Sequence, residues 1–149
     1  VQVSANISVP GFATRTGKRI LIQPAFFQRN VGALFPSNTR EHHIYFNYGY
    51  TEDDEVTIEL PEGWTLDKPQ TPMSYNIDKI GQYAVDLKKT VNGRKLIYQR
   101  RFVWGKEGAV ILDKANYSAI KNVFDKIHEQ DNHLITLVPE GQGASNGSN

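Results

Sequence analysis

The stretch Tyr83-Ala84-Val85-Asp86-Leu87-Lys88-Lys89-Thr90-Val91-Asn92-Gly93-Arg94-Lys95-Leu96-Ile97-Tyr98-Gln99-Arg100-Arg101-Phe102-Val103-Trp104 decides the fold. Tyr83, Val85 and Leu87 alternate with Ala84, Asp86 and Lys88 at the period of a half-buried strand. Asn92-Gly93 separates this run from a second strand over residues 95–104. A two-residue type I′ turn needs positive φ at both central residues, and Asn-Gly supplies them best. The stretch is therefore an antiparallel hairpin, and the chain around it is read for further strands.

Upstream, Val56, Ile58 and Leu60 alternate with Thr57 and Glu59, and Pro61-Glu62-Gly63 turns the chain before Trp64. Over residues 43–50, Ile44, Phe46, Tyr48 and Tyr50 share one strand face. Thr51-Glu52-Asp53-Asp54 reads as a short acidic turn between these two strands. Residues 67–72 hold two prolines and should be irregular or an edge, with a short strand over 74–80. Further upstream, Val3, Ala5, Ile7 and Val9 predict a strand ended by Pro10-Gly11, and residues 19–23 a second one closed by Pro24. Residues 28–40 read as a loop. Downstream, Tyr117, Ile120, Phe124 and Ile127 recur at helical spacing. With Asp113 as N-cap, this predicts a helix over 114–128, stopping near Asp131-Asn132, before a buried strand over 134–138. The expected fold is mainly β: an antiparallel β-sandwich of roughly eight strands with one C-terminal amphipathic helix packed on it. Residues 1–138 form a single domain, and residues 139–149 a flexible Gly/Ser/Asn-rich tail without a large apolar side chain beyond its start. Opening directly in strand alternation, the 149-residue chain reads as a piece of something longer.

Composition removes several functions. There is no cysteine, so thiol nucleophiles, thiolate zinc sites and disulfides are excluded. The net charge is +1, without the basic excess of a dedicated nucleic-acid binder. No apolar run approaches the ~20 residues of a membrane span. Charge is nonetheless blocked: residues 41–86 carry ten acids against Lys68 and Lys79, and residues 87–106 carry seven bases and no acid. Such blocks pair across neighbouring strands more readily than they form a polyanion site.

The usual catalytic patterns are missing. There is no Gly-x-Ser-x-Gly elbow, and Gly105-Lys106-Glu107-Gly108 lacks the rest of a phosphate loop. His42 and His43 are adjacent and point to opposite faces of an extended chain. His128 and His133 match no standard metal spacing, and Glu52-Asp53-Asp54-Glu55 lacks the alternating ligands and central glycine of a calcium loop. No cofactor and no metal is expected. The binding candidates are the aromatics Trp64, Trp104, Tyr48 and Tyr50, with Tyr45 beside them. Core packing is the simpler account of Tyr48 and Tyr50, and whichever Trp is exposed becomes the best contact for a ligand.

The succession Leu60-Pro61-Glu62-Gly63-Trp64, Tyr83, Leu96-Ile97-Tyr98-Gln99-Arg100-Arg101-Phe102, Tyr117-Ser118-Ala119-Ile120-Lys121-Asn122-Val123-Phe124 and Ile135-Thr136-Leu137 carries a resemblance. It resembles the C-terminal β-domain of unknown function that follows transglutaminase-like (papain-fold) domains in bacterial secreted or periplasmic proteins. Gly17-Lys18-Arg19-Ile20-Leu21-Ile22-Gln23-Pro24 and residues 40–46 fit its earlier strands, so the resemblance covers most of residues 16–138. The acidic run from Glu52 to Glu55 departs from that pattern. In such proteins the Cys-His-Asp machinery belongs to the preceding domain, so the resemblance transfers no catalytic residue. It implies a non-catalytic accessory or interaction domain, partnered with an upstream transglutaminase-like domain of the same chain, in an extracytoplasmic bacterial setting. The alternative is a carbohydrate- or cell-wall-binding module that takes a glycan, or a protein ligand, on exposed Trp and Tyr. An independent enzyme ranks last.

Titration with zinc or calcium, followed by calorimetry, is expected to show no saturable site of micromolar affinity. A single site abolished by changing His128 or His133 would contradict the reading of those histidines.

Overall fold

The structure is a computed structural model and describes residues 2–108 and 110–141. In chain order the strands are β1 (Thr14–Thr16), β2 (Arg19–Ile22), β3 (Ile44–Tyr45), β4 (Tyr50–Glu59), β5 (Trp64–Leu66), β6 (Met73–Ile77), β7 (Gly81–Lys89), β8 (Lys95–Trp104), β9 (Ile111–Leu112) and β10 (Ile135–Pro139). Among the described residues the single α-helix, α1 (Tyr117–Asp131), lies between β9 and β10. All pairings are antiparallel, in sheets ordered β4-β8-β7-β6, β1-β2-β10-β5 and β3-β9. The expected fold class holds, with ten strands in place of roughly eight.

The deciding hairpin is β7–β8, in register from Gly81 opposite Trp104 to Lys89 opposite Leu96. Its turn is not type I′. Of Asn92 and Gly93 only Gly93 has positive φ, and its N–H donates to the Thr90 carbonyl at 2.8 Å. The Asn92 side chain accepts from Arg94 N–H at 3.1 Å and from the Thr90 hydroxyl at 2.7 Å. Asparagine thus contributes its side chain rather than a left-handed backbone, and the loop is longer than two residues.

Alternation along β8 turns Leu96, Tyr98, Arg100, Phe102 and Trp104 to the buried face. Opposite Trp104, a Cβ on Gly81 would lie 2.4 Å from the Val103 carbonyl oxygen, so only glycine fits. The apolar stripe of α1 covers this face. The Phe124 ring lies 4.8 Å from Trp104, 5.2 Å from Phe35 and 5.8 Å from Phe102, centroid to centroid, each edge-on. A second apolar cluster, Ile22, Ile135 and Leu137 against Leu60 and Leu96, joins the β1-β2-β10-β5 sheet to the end of the long one.

Five expectations need correction. Residues 2–9 form no strand, and Val3 and Ile7 are exposed, because alternation specifies a face but supplies no partner strand. The 43–50 run is broken: β3 ends at Tyr45 and β4 begins at Tyr50. The break sits where the Gly49 backbone passes the Gly105 carbonyl so closely that a Cβ would stand 2.6 Å from it. The acidic residues 51–54 are not a turn but lie within β4, where Asp53 faces Arg101 and Asp54 faces Arg100 in the β8 register. Opposite charge across the ladder lets an acidic run stay extended. Helix α1 starts three residues later than expected, after a 3-10 turn over Lys114–Asn116, while its end at Asp131 is where the sequence placed the stop. Asp113 does cap that turn, accepting from Ala115 N–H at 2.8 Å. Pro139, expected in the tail, closes β10, and the Glu140 N–H donates to the Gly63 carbonyl. The remaining tail, residues 142–149, lies outside the described residues.

Phe124→Ala is expected to destabilise the fold by about 3 kcal/mol or more, since it opens a cavity among the rings of Phe35, Phe46, Phe102 and Trp104. A melting shift no larger than that of an exposed control substitution would contradict this packing.

Candidate functional site

Arg100 projects from the centre of β8 into the space between the sheet and the C-terminal end of α1, and its side chain is 3% exposed. Its Nε and Nη2 donate to the two carboxylate oxygens of Asp131 at 2.9 and 3.0 Å. Nη1 donates to Glu52 at 2.8 Å and to Asp54 at 3.3 Å. Tyr83 adds its hydroxyl to Asp131 at 2.7 Å, and the Gln23 amide donates to the Asp131 carbonyl at 2.7 Å. Gln28 donates to Asp54 at 2.9 Å. Sequence positions 23, 28, 52, 54, 83, 100 and 131 thus meet at one point.

The network perturbs its members predictably. Burial and the neighbouring Asp131 carboxylate push the Tyr83 phenol well above the ordinary tyrosine range. Tyr98 is raised by the same two causes. Burial opposes the charge on Arg100, but the hydrogen bonds and charge of Asp131 and Glu52 outweigh it and hold the guanidinium protonated. A carboxylate at the end of α1 stands unfavourably to the helix dipole, so the bidentate guanidinium also relieves that contact.

Above this network the surface opens into a concavity of about 250 Å³. Its floor includes Arg100 and Asp131, its walls Phe102, Phe124 and Ile127. Its rim is Phe27, Val31 and Leu34, all exposed, from the segment after β2. A second concavity, of about 480 Å³, shares Tyr50 and Glu52 with it and adds Phe46, Asn47, Tyr48 and Thr51. The outer face of the long sheet holds a wider hollow of about 520 Å³. There Asp53 pairs with Arg101, Glu55 with Gln99 and Asp86 with Lys88, so its charges are mutually satisfied.

The sequence-derived binding residues separate. Tyr48, 70% exposed, and half-buried Tyr50 line one concavity together. Trp104 is 1% exposed and packs against Phe46 and Phe124, so it offers no face to a ligand. Trp64, half-buried on β5, carries the Arg15 guanidinium over its ring at 5.6 Å and belongs to the other sheet. Tyr45 is exposed on β3. The sequence reading missed Phe27, Val31 and Leu34, because a loop has no period to expose an apolar cluster. It also missed Arg100 as the centre, although opposed acidic and basic blocks were the available signal.

His128 lines the first concavity, with Asn132 as its neighbour, and His133 lies 3.2 Å from Gln70. Among the described residues no group of three His, Cys, Asp or Glu side chains is arranged to hold a metal ion. No helix among them is long and apolar enough to cross a membrane.

Residues 18–137 match the model of DUF3858, described as a domain of unknown function with a solved structure. No curated protein and no solved structure matches the chain.

Arg100→Ala is expected to destabilise the fold by about 3–5 kcal/mol, because it strands buried carboxylates without a counter-charge. A melting curve close to wild type would contradict the central role of this pair. Stability should also fall in alkali. Tyr83 and Tyr98 stay neutral in the fold, while in the unfolded chain they ionise near 10.0. The stability is complete below that pH and is lost above it, by about 1.4 kcal/mol per pH unit for each phenol. Denaturant titrations above and below that pH check the slope, and Tyr98→Phe should lessen it.

Proposed function

The chain belongs to the DUF3858 family of domains of unknown function, and we propose that it serves as a non-catalytic accessory domain of a larger bacterial transglutaminase-like protein. In this reading it docks on the upstream transglutaminase-like domain of the same chain, outside the cytoplasm, and orients or restricts access to that domain's catalytic cleft. The observation that carries it is the exposed apolar rim of Phe27, Val31 and Leu34 around a concavity backed by a rigid ion network. A clustered apolar rim is what a domain interface covers. Contacts between domains of one chain are modest in area, and tethering supplies the effective concentration that free association lacks.

The carbohydrate-binding reading retains one specific support, the Tyr48–Tyr50 concavity with polar Asn47, Thr51 and Glu52. It is weaker, because Trp104 is buried and Trp64 lies on the other sheet, leaving no continuous aromatic strip.

The test joins and separates the domains. Activity and protease sensitivity of the upstream domain are measured alone, with residues 1–138 attached, and with Leu34→Asp in the attached domain. Attachment is expected to change both, and Leu34→Asp to abolish most of that change. If attachment changed neither while the isolated domain bound a glycan through Tyr48, the binding-module reading would replace the accessory one.

A further inference from the structure

We propose that the groove between the 26–34 segment, β4 and α1 receives a lysine or arginine side chain of its protein partner. The inference rests on the docking reading and names the partner's chemistry. Three carboxylates, from Glu52, Asp54 and Asp131, converge on the single guanidinium of Arg100, which leaves two formal negative charges in excess. Asp131 is buried and Asp54 is largely covered, whereas Glu52 is 44% exposed at the groove. Its Oε2 accepts from Arg100, and its Oε1 has no donor among the described residues.

The walls select the form of the cation. Phe27, Val31 and Leu34 on one side and Phe124 and Ile127 on the other are apolar. They favour an alkyl stem, and they lower the local dielectric through which Glu52 attracts a charged tip. Lysine and arginine carry both parts on one side chain. Phe27 and Tyr50 line the same groove, and aromatic side chains are favourable neighbours for a cation. An acidic partner would meet the charge excess unfavourably. A wholly apolar side chain would cover Glu52 and leave its free oxygen without a donor.

The experiment titrates four blocked peptides into the isotope-labelled full chain, followed by NMR. They are acetyl-Ala-Leu-X-Leu-Ala-amide with X as lysine, arginine, norleucine or glutamate. Lysine and arginine peptides are expected to give saturable shifts at Phe27, Val31, Leu34 and Tyr50. The norleucine peptide should bind about tenfold more weakly, and the glutamate peptide not at all. Glu52→Gln should weaken the lysine peptide about tenfold, since glutamine can still accept from Arg100 but carries no charge. If that variant does not fold, Leu34→Ala tests the wall instead, and it should weaken lysine and norleucine peptides alike. Equal binding of lysine and norleucine peptides would overturn the cation assignment and leave apolar docking standing. Absence of any saturable shift would also overturn it, while the Leu34→Asp comparison on the joined domains decides the docking reading separately. Shifts at Tyr48 and Tyr50 with a chitin oligosaccharide, and none with peptides, would overturn the cation assignment and favour the glycan alternative at the neighbouring concavity.

Discussion

The bidentate pair between Arg100 and Asp131 is the contact on which the arrangement of the molecule depends. It ties the centre of β8 to the last residue of α1, and it does so in the interior. A buried ion pair rarely adds much net stability, because desolvation offsets the attraction. Its consequence is specificity. Only one placement of α1 along the sheet brings Asp131 to Arg100, and any other leaves the Asp131 carboxylate buried without its counter-charge. The aromatic contacts of Phe124 would tolerate small slides of the helix, but the planar fork of a guanidinium does not.

The same pair explains the acidic strand. β4 is an edge of the long sheet, and a ten-residue edge strand is an invitation to pair with another chain. Its acids resolve this in two directions. Glu52 and Asp54 turn inward to Arg100, while Asp53 and Glu55 turn outward to Arg101 and Gln99. One run of charge therefore completes the interior network and guards the edge by repulsion.

Much of the fold was legible because its signals were local and periodic. The β7–β8 hairpin, the stripe Tyr117, Ile120, Phe124 and Ile127, and the 134–138 strand all announce themselves within a short window. What failed depended on distant partners. Val3 to Val9 has the pattern of a strand but finds no edge, and the acidic residues of β4 look like a turn until the β8 bases are placed opposite them. The site failed for the same reason more severely. Its members come from the segment after β2, from β4, β7 and β8, and from the end of α1, and no local pattern joins them. Tyr48 and Tyr50 were found by residue type alone, which is also how buried Trp104 was included.

Position then gives the groove a mechanical meaning. Its rim is a short 3-10 turn over Phe26–Gln28 followed by irregular backbone with Asn30 at positive φ, while its floor is bonded to the sheet and to the helix end. A rim of this kind can adapt its apolar side chains to a partner without disturbing the strands. The floor cannot adapt, because Glu52 shares Arg100 with Asp131, and Gln28 joins the rim to Asp54. A charge brought against Glu52 therefore acts on the same guanidinium that fixes α1. Partner binding at this groove and the seating of the helix are energetically linked through one side chain, in either direction.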